Sequence, residues 1–239
     1  MVLTIHHLHV SQSERIIWLC EELAVPYKLK TYTRAPLLAP AEYKALHPAG
    51  TSPVIQDERS SNDGSSSNND NSNLLTLAES SACVEYIAHV HGGGSLFLSP
   101  AHPFYPDFLY WFHWANGTFQ PALGRLLAAS QSPTPPDSSN KMANFAKDRV
   151  SKAFAALDAR LHDNDYLAGG DELTAADIMA VFPLTTFRYY YPYSLAPYKH
   201  ILRYLDRIGS RDAYRRAMEI GDPDMELLLG AEVPPPLKN

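Results

Sequence analysis

Residues 3–33 read LTIHHLHVSQSERIIWLCEELAVPYKLKTYT, and the change of hydrophobic period inside this stretch decides the fold. Leu3 to Val10 is short, apolar and β-prone, as a buried strand requires. Ser11-Gln12-Ser13 then supplies helix-capping hydroxyls. Ile16, Ile17, Leu19, Cys20 and Leu23 recur at helical spacing, with Glu14, Arg15, Glu21 and Glu22 set between them. Pro26 lacks the N–H a helix needs and ends it. Tyr27 to Thr33 then alternates as a second strand does.

Working outward, the spacing predicts a short helix around Ala41 to Leu46. It leads into the turn sequence His47-Pro48-Ala49-Gly50 and a third strand at Ser52-Pro53-Val54-Ile55. Leu74 to Leu77 reads as a fourth strand and Ser80 to His91 as a helix. The order βαβ then ββα puts parallel and antiparallel pairs into one small sheet. Between Ile55 and Leu74 lies ERSSNDGSSSNNDNSN, which has no apolar residue to offset the entropy of ordering. A mobile insertion at about residues 57–73 is expected, tolerated as a surface loop. Gly92-Gly93-Gly94 and Pro100 to Pro106 mark a linker, after which the pattern is helical throughout. Phe108, Trp111, Phe112, Ala115 and Phe119 form one stripe. After the Pro-rich SPTPPDSS, residues Phe145 to Leu161 form another, and further helices open at Thr174 and near Tyr198. The organisation expected is a small α/β domain over residues 1–92 followed by an all-helical domain over 103–239.

Composition narrows the function classes. With 20 Lys and Arg against 26 Asp and Glu in 239 residues, the net charge is −6, and no basic cluster offers a face for nucleic acid. No apolar run approaches the roughly 18 residues that span a bilayer, so no membrane partner is expected. The N-terminal MVLTIHHLHV lacks the basic and apolar regions of a signal peptide, which points to a cytoplasmic protein. Two cysteines, Cys20 and Cys83, are too few for a disulfide framework and fall inside helical patterns as packing residues.

Four local signals carry chemistry. Thr174 followed three residues later by Asp177 is a capping box, with Leu173 and Ile178 flanking it as a hydrophobic staple; a folding role is favoured over an acid–base one. Ser52-Pro53 is a setting for a cis peptide, which would present the backbone of Val54 at the sheet edge to a ligand's peptide unit. Glu79-Ser80 opens a helix, where first-turn N–H groups and a hydroxyl suit a carboxylate and the Glu an ammonium. Ser11 ends the first strand just before a helix, where its hydroxyl could donate to an anion such as a thiolate. No His–Asp arrangement is visible that would make Ser11 a hydrolytic nucleophile. His6, His7 and His9, or His89 and His91, lack further ligands at a defined spacing, so no metal is expected. In the aromatic run FYPDFLYWFHWANGTF most rings belong to core, while an edge near Trp114 and Phe119, with Arg188 and Tyr189, is assigned to an apolar substrate pocket.

As an ordered set, HLHVSQSERIIWLCEEL, PYKL, EYKALHPAGTSPVI, LAESSACVEYI and YLAGGDELTAADIMAVFPL resemble the cytosolic glutathione transferases, closest to a serine-type, theta-like microbial branch. The resemblance implies a thioredoxin-like domain that binds glutathione and a helical domain that shapes the pocket for an electrophile. It implies that Ser11, with Ser13 as second candidate, meets the glutathione sulfur. Pro53 would be the cis-proline, with Thr51, Ser52 and Val54 beside it, and Glu79 and Ser80 would grip the γ-glutamyl head group. Thr51 stands where relatives often carry Lys, and Gln12 where many carry Arg, so both departures remove positive charge. The absence of Cys at residues 11 and 13 argues against the cysteine-dependent branches.

The function this implies is a glutathione transferase that activates the thiol for attack on a small electrophile, working as a homodimer. Two alternatives stay open at this level. One is a glutathione-dependent isomerase, adding the thiolate reversibly to a conjugated enone. The other is a non-catalytic binding module on the same fold.

Overall fold

A computed structural model describes residues 2–35, 38–58, 74–131, 141–235 and 237. The expected insertion lies, from residue 59 on, outside the described residues, as does the Pro-rich loop at 132–140. Asp57 and Glu58, given above to the insertion, belong instead to the third strand.

The chain divides into two compact units, one of Met1–Ser95 with Ala213–Met225, the other of Leu96–Asp212 with Glu226–Lys238. The return of residues 213–225 to the first unit departs from the single helical domain expected over 103–239. The helix responsible, α9 (Asp212–Gly221), has no counterpart in the sequence reading.

The first unit is built on β1 (Leu3–Leu8), β2 (Tyr27–Tyr32), β3 (Val54–Glu58) and β4 (Leu74–Ala78) in the order β2-β1-β3-β4. β1 pairs in parallel with β2, Leu3 opposite Tyr27, and antiparallel with β3, Ile5 opposite Ile55; β4 is antiparallel to β3. As an inner strand β1 is apolar or buried along most of its length, whereas the edge strand β2 shows Lys28 and Lys30 to solvent. Between β1 and β2 runs α1 (Glu14–Leu23), which buries Ile16, Ile17, Leu19 and Cys20 completely. Each such aliphatic side chain stabilises the unit by about 1.5–3 kcal/mol relative to exposure. The helix stops at Ala24, whose φ is +51°, and Pro26 prevents its continuation. The short α2 (Ala41–Lys44) packs Tyr43 against Leu8, Val54 and Ala78 of the sheet, and α3 (Ser80–Val90) packs beside α1. Cys20 and Cys83 are buried free thiols, and burial pushes Cys83 up to about 12. The four-stranded mixed sheet with its helices is the thioredoxin-like arrangement, followed by a helical unit.

The second unit contains α4 (Tyr105–Trp114), α5 (Gln120–Ser130), α6 (Lys141–Asp163), α7 (Ala175–Leu184) and α8 (Lys199–Gly209). α7 is buried all round, the mark of a central helix. The aromatic stripe expected as one helix is interrupted by a π turn at Ala115–Phe119. Pro121 cannot donate to the carbonyl four residues back, and the wider turn takes up the break.

The capping box at the start of α7 is formed. Asp177 Oδ2 accepts from the N–H and hydroxyl of Thr174 at 2.9 and 3.0 Å, and Oδ1 accepts from Leu167 N–H at 2.9 Å and the Tyr204 hydroxyl at 3.1 Å. Burial raises the Asp177 pKa while these four donors pull the other way. The Thr174 contacts close the cap of α7, while those of Leu167 and Tyr204 tie other segments of the helical unit to it, which suits a structural role.

Candidate functional site

The site of interest lies at the C-terminal end of β1, where the chain must turn sharply into α1. Val10 takes φ +51° there, a conformation that costs a β-branched residue about 1–2 kcal/mol. Two side chains hold the turn. Asp222, just after α9, accepts the Val10 N–H at 3.0 and 3.2 Å. Arg34 donates to the carbonyls of His9 and Val10, each at 2.8 Å.

The turn delivers the serines. Ser11 Oγ lies 2.8 Å from Ser13 Oγ and 2.8 Å from Ser52 Oγ, and it accepts the Ser13 N–H at 3.3 Å. Ser13 occupies the position before α1, yet its hydroxyl makes no cap bond. That corrects the capping role expected of it, because the oxygen is turned back toward β1. It accepts the Leu8 N–H at 3.1 Å and lies 2.9 Å from His7 Nδ1. Ser13 is fully buried, whereas Ser11 retains 4% exposure and faces the half-buried Ser52. Of the two candidates, Ser11 is the outer hydroxyl.

Behind the serines stands a His–Asp arrangement whose imidazole touches Ser13 and not Ser11. His7 Nε2 is 3.1 Å from Asp222 Oδ2, and His9 Nδ1 is 2.7 Å from Asp222 Oδ1. Burial alone would raise the Asp222 carboxyl. The hydrogen bonds of His7, His9 and Val10, together with the charge of His7, outweigh it and hold the group below the usual carboxylate range. His7, His9 and Asp222 present ligand atoms within 4.8 Å of one another. Two ring nitrogens and a backbone N–H converge on the one carboxylate, so the cluster closes on itself by hydrogen bonds. Nor does it form a hydrolytic triad: the serine that touches His7 is Ser13, wholly enclosed behind Ser11.

The Ser52–Pro53 bond is cis. Val54 is matched with His6 on β1 and with Ala78 on β4, so it opens an inner strand and has no free lateral edge. Ser52 is the residue beside the cis bond that lies outside the ladder. Thr51 is exposed.

Glu79 precedes α3 with φ +79° and is exposed, while Ser80 is buried at the first turn. Beneath it lies a cation that the sequence left unassigned. Arg15 Nη1 donates to Ser80 Oγ at 3.1 Å and to Gln12 Oε1 at 2.8 Å, and Ser80 donates to Gln12 at 3.2 Å. Burial lowers Arg15 to about 9, against the favourable charge of Glu14, so the guanidinium remains protonated at neutral pH. A positive charge therefore lies against Gln12 and Ser80 under the N-terminus of α3, where the helix dipole adds to it.

The residues assigned to a substrate pocket in the helical unit are placed otherwise. Trp114 stacks on Phe119 at 4.8 Å, Phe119 meets Phe154 at 5.2 Å, and Phe154 stacks on Tyr198 at 4.9 Å, a continuous aromatic core. Arg188 is 1% exposed and donates to the carbonyls of Tyr193, Leu228, Gly230 and Glu232. Tyr189 donates to the Glu226 carbonyl at 2.9 Å. These contacts tie the C-terminal segment to the unit and occupy the groups that a substrate would otherwise meet.

Comparison with known proteins agrees over both units. The family model for the glutathione S-transferase N-terminal domain matches residues 11–90, and that for the C-terminal domain residues 118–212. Glutathione S-transferase 3 of Schizosaccharomyces pombe is 30% identical over 231 residues, covering 91% of this chain and 87% of that protein. A crystal structure of a glutathione S-transferase from Actinobacillus pleuropneumoniae superposes with a TM-score of 0.75 at 28% identity, covering 95% of this chain and 98% of that one. A theta class glutathione S-transferase from Xanthomonas axonopodis pv. citri, solved with glutathione bound, gives a TM-score of 0.62 at 25% identity over 90% of this chain and 96% of its own.

Proposed function

The chain belongs to the glutathione S-transferase family, and from that premise we propose that it binds glutathione in the N-terminal unit and presents the thiol to Ser11 for attack on a small electrophile. The observation that carries the reading is the position of Ser11 Oγ, 2.8 Å from Ser52 Oγ beside the cis-proline, at the entrance to α1. A free thiol with a pKa of about 8.5 is mostly protonated at neutral pH. A hydroxyl that donates to the sulfur, near the positive end of a helix, favours the thiolate.

The remaining contacts follow from the same frame. The γ-glutamyl carboxylate would meet Ser80 and the first N–H groups of α3, over the buried Arg15, and Glu79 would meet the ammonium. The cysteinyl backbone would pair with Ser52, outside the ladder, in place of the Val54 suggested by the sequence. The protein's contribution is proximity and electrostatic stabilisation of a nucleophile that glutathione itself provides. On the family resemblance we extend the proposal to a homodimer acting in the cytoplasm. Among the described residues no helix is long and apolar enough to cross a membrane.

Calorimetric titration with glutathione, with thiolate absorbance followed against pH, tests the reading. Binding with the thiol pKa moved below its solution value is the expected result. No binding at millimolar glutathione would overturn it. Consumption of glutathione during turnover with an electrophile distinguishes conjugation from isomerisation, in which glutathione is returned.

A further inference from the structure

Four side chains from opposite ends of the sequence form an unbroken hydrogen-bonded line in the first unit: Asp222, His7, Ser13 and Ser11, with spacings of 3.1, 2.9 and 2.8 Å. An ionised carboxylate only accepts, so His7 Nε2 carries a hydrogen toward Asp222. In a neutral imidazole Nδ1 then accepts, and its partner is the Ser13 hydroxyl. Two acceptors face the Ser13 hydrogen, His7 Nδ1 at 2.9 Å and the Leu8 carbonyl at 3.4 Å; with the hydrogen on the nearer, Ser13 accepts from Leu8 N–H and from Ser11. Ser11 therefore points its hydrogen inward, and its lone pairs face the Ser13 N–H at 3.3 Å and, on the outer side, Ser52 Oγ at 2.8 Å, the direction from which a thiol would approach. In this state it cannot donate to a sulfur, but it can accept a proton from one.

Protonating His7 reverses every bond in the line. Nδ1–H then donates to Ser13, Ser13 donates to Ser11, and the Ser11 hydrogen points outward. The hydroxyl at the entrance is a donor or an acceptor according to the charge on a ring two residues behind it in the chain of contacts.

We propose that His7, positioned by Asp222 and acting through Ser13 and Ser11, takes up the proton of the substrate thiol. The thiol S–H bond breaks and its proton joins Ser11 Oγ. The former Ser11 proton passes to Ser13 Oγ, and the former Ser13 proton to His7 Nδ1. The electron pair of the broken bond stays on sulfur as the thiolate, which Ser11 now donates to. The imidazolium is balanced by the Asp222 carboxylate, whose charge does not change. This inference rests on the reading of Ser11 as the thiol site.

The surroundings of His7 suit a buried proton store. Among the described residues the titratable groups in contact with it are Asp222 and His9, whose ring stands edge-on with centroids 5.7 Å apart. The Arg34 guanidinium donates to the His9 and Val10 carbonyls, each at 2.8 Å. The side chain of His7 is 0% exposed, so a proton held there is separated from bulk water. Gly221 allows the close approach that makes the pair: a Cβ on it would lie 3.2 Å from His7 Nε2 and 3.0 Å from Ile17 Cδ1.

The test is a proton inventory on the full chain, with glutathione and S-methylglutathione as probes. Nitrogen NMR of the histidine rings reads the state of His7, and calorimetry in buffers of different ionisation enthalpy counts protons released. The expected result is an imidazolium at His7 with glutathione but not with S-methylglutathione, which has no thiol proton to give. Fewer protons should reach the buffer than thiolates form. His7→Gln should release one proton per thiolate and raise the bound thiol pKa by about one unit. If the unaltered protein forms thiolate, frees one proton for each, and leaves His7 neutral, the relay is overturned while the thiol site stands. If glutathione does not bind, the thiol site fails and the relay with it. The ring measurement needs no substitution, so it decides the matter even if His7→Gln does not fold.

Discussion

Both carboxylate oxygens of Asp222 accept the single backbone N–H of Val10, at 3.0 and 3.2 Å, from 212 residues further along the chain. Val10 sits in a backbone region that resists a β-branched side chain, so the strained turn before Ser11 depends on a residue after the last helix. Sequence and geometry meet at this point: the turn aims the serine, and the carboxylate holds the turn.

Removing that carboxylate should destabilise the protein in a pH-dependent way. Asp222→Asn leaves the His7, His9 and Val10 donors competing for one remaining carbonyl oxygen, an expected loss of about 2–4 kcal/mol at neutral pH. The folded pKa of Asp222 is held below its unfolded value of about 3.9, so its contribution is complete above that value and fades as pH falls through the folded pKa. Urea denaturation at pH 7, 5 and 3.5 should therefore show the gap between the two proteins narrowing only in the acid range. A gap constant down to the lowest pH would mean that the charge of Asp222 does not matter to the turn.

Ser11→Ala and Ser80→Ala should separate the two halves of the glutathione site. Ser11→Ala removes the hydroxyl next to the sulfur and should lower turnover by on the order of a hundredfold, with glutathione affinity nearly kept. Ser80→Ala removes the hydroxyl that would turn from Gln12 to the carboxylate and should weaken binding by about tenfold, or 1.4 kcal/mol, without moving the thiol pKa. Steady-state kinetics with a thiolate titration reads both. Unchanged turnover in Ser11→Ala would transfer the sulfur contact to Ser52, its 2.8 Å neighbour.

The fold and the outer site residues were legible because their signals are local. The strand–helix–strand period of residues 3–33, the Ser52-Pro53 dipeptide, and Thr174 with Asp177 each sit within one element or one turn. His7 with Asp222 is separated by 215 positions, and α9, which brings them together, gives no hint in sequence that it rejoins the first unit. Arg15 was equally hidden. On a helical wheel it counts as a polar residue between apolar ones, and only the placement of α3 beside α1 puts Ser80 on its guanidinium. Trp114 and Phe119 misled for the opposite reason, since aromatic composition marks core and pocket alike, and here the π turn stacks them inward.

Asp177→Ala should act on stability alone. Four donors converge on this buried carboxylate, and deleting it leaves the Leu167 N–H, both Thr174 donors and the Tyr204 hydroxyl without their acceptor. A loss of about 3 kcal/mol or more is expected, with activity per folded molecule preserved. Thermal melts and activity normalised to folded protein check it. An unchanged melting temperature with lost activity would reassign Asp177 to the chemistry.

Arg188→Lys should show that the charge at this position matters less than its planar fork. The guanidinium reaches four carbonyls, of Tyr193, Leu228, Gly230 and Glu232, and so ties the segment near the C-terminus to the turn after α7. An ammonium has three donors on one atom and cannot span carbonyls that approach from separate directions. The carbonyls belong to half-buried or exposed residues, so each lost hydrogen bond costs about 0.5–1.5 kcal/mol. The expected result is a lysine variant destabilised nearly as much as Arg188→Ala, with hydrogen exchange rising first in residues 226–232. Were the guanidinium instead a ligand for an anionic substrate, lysine would keep most of the stability, and the variant would differ in KM for that substrate. Full stability in Arg188→Lys, with protection of residues 226–232 intact, would therefore return Arg188 to the substrate pocket.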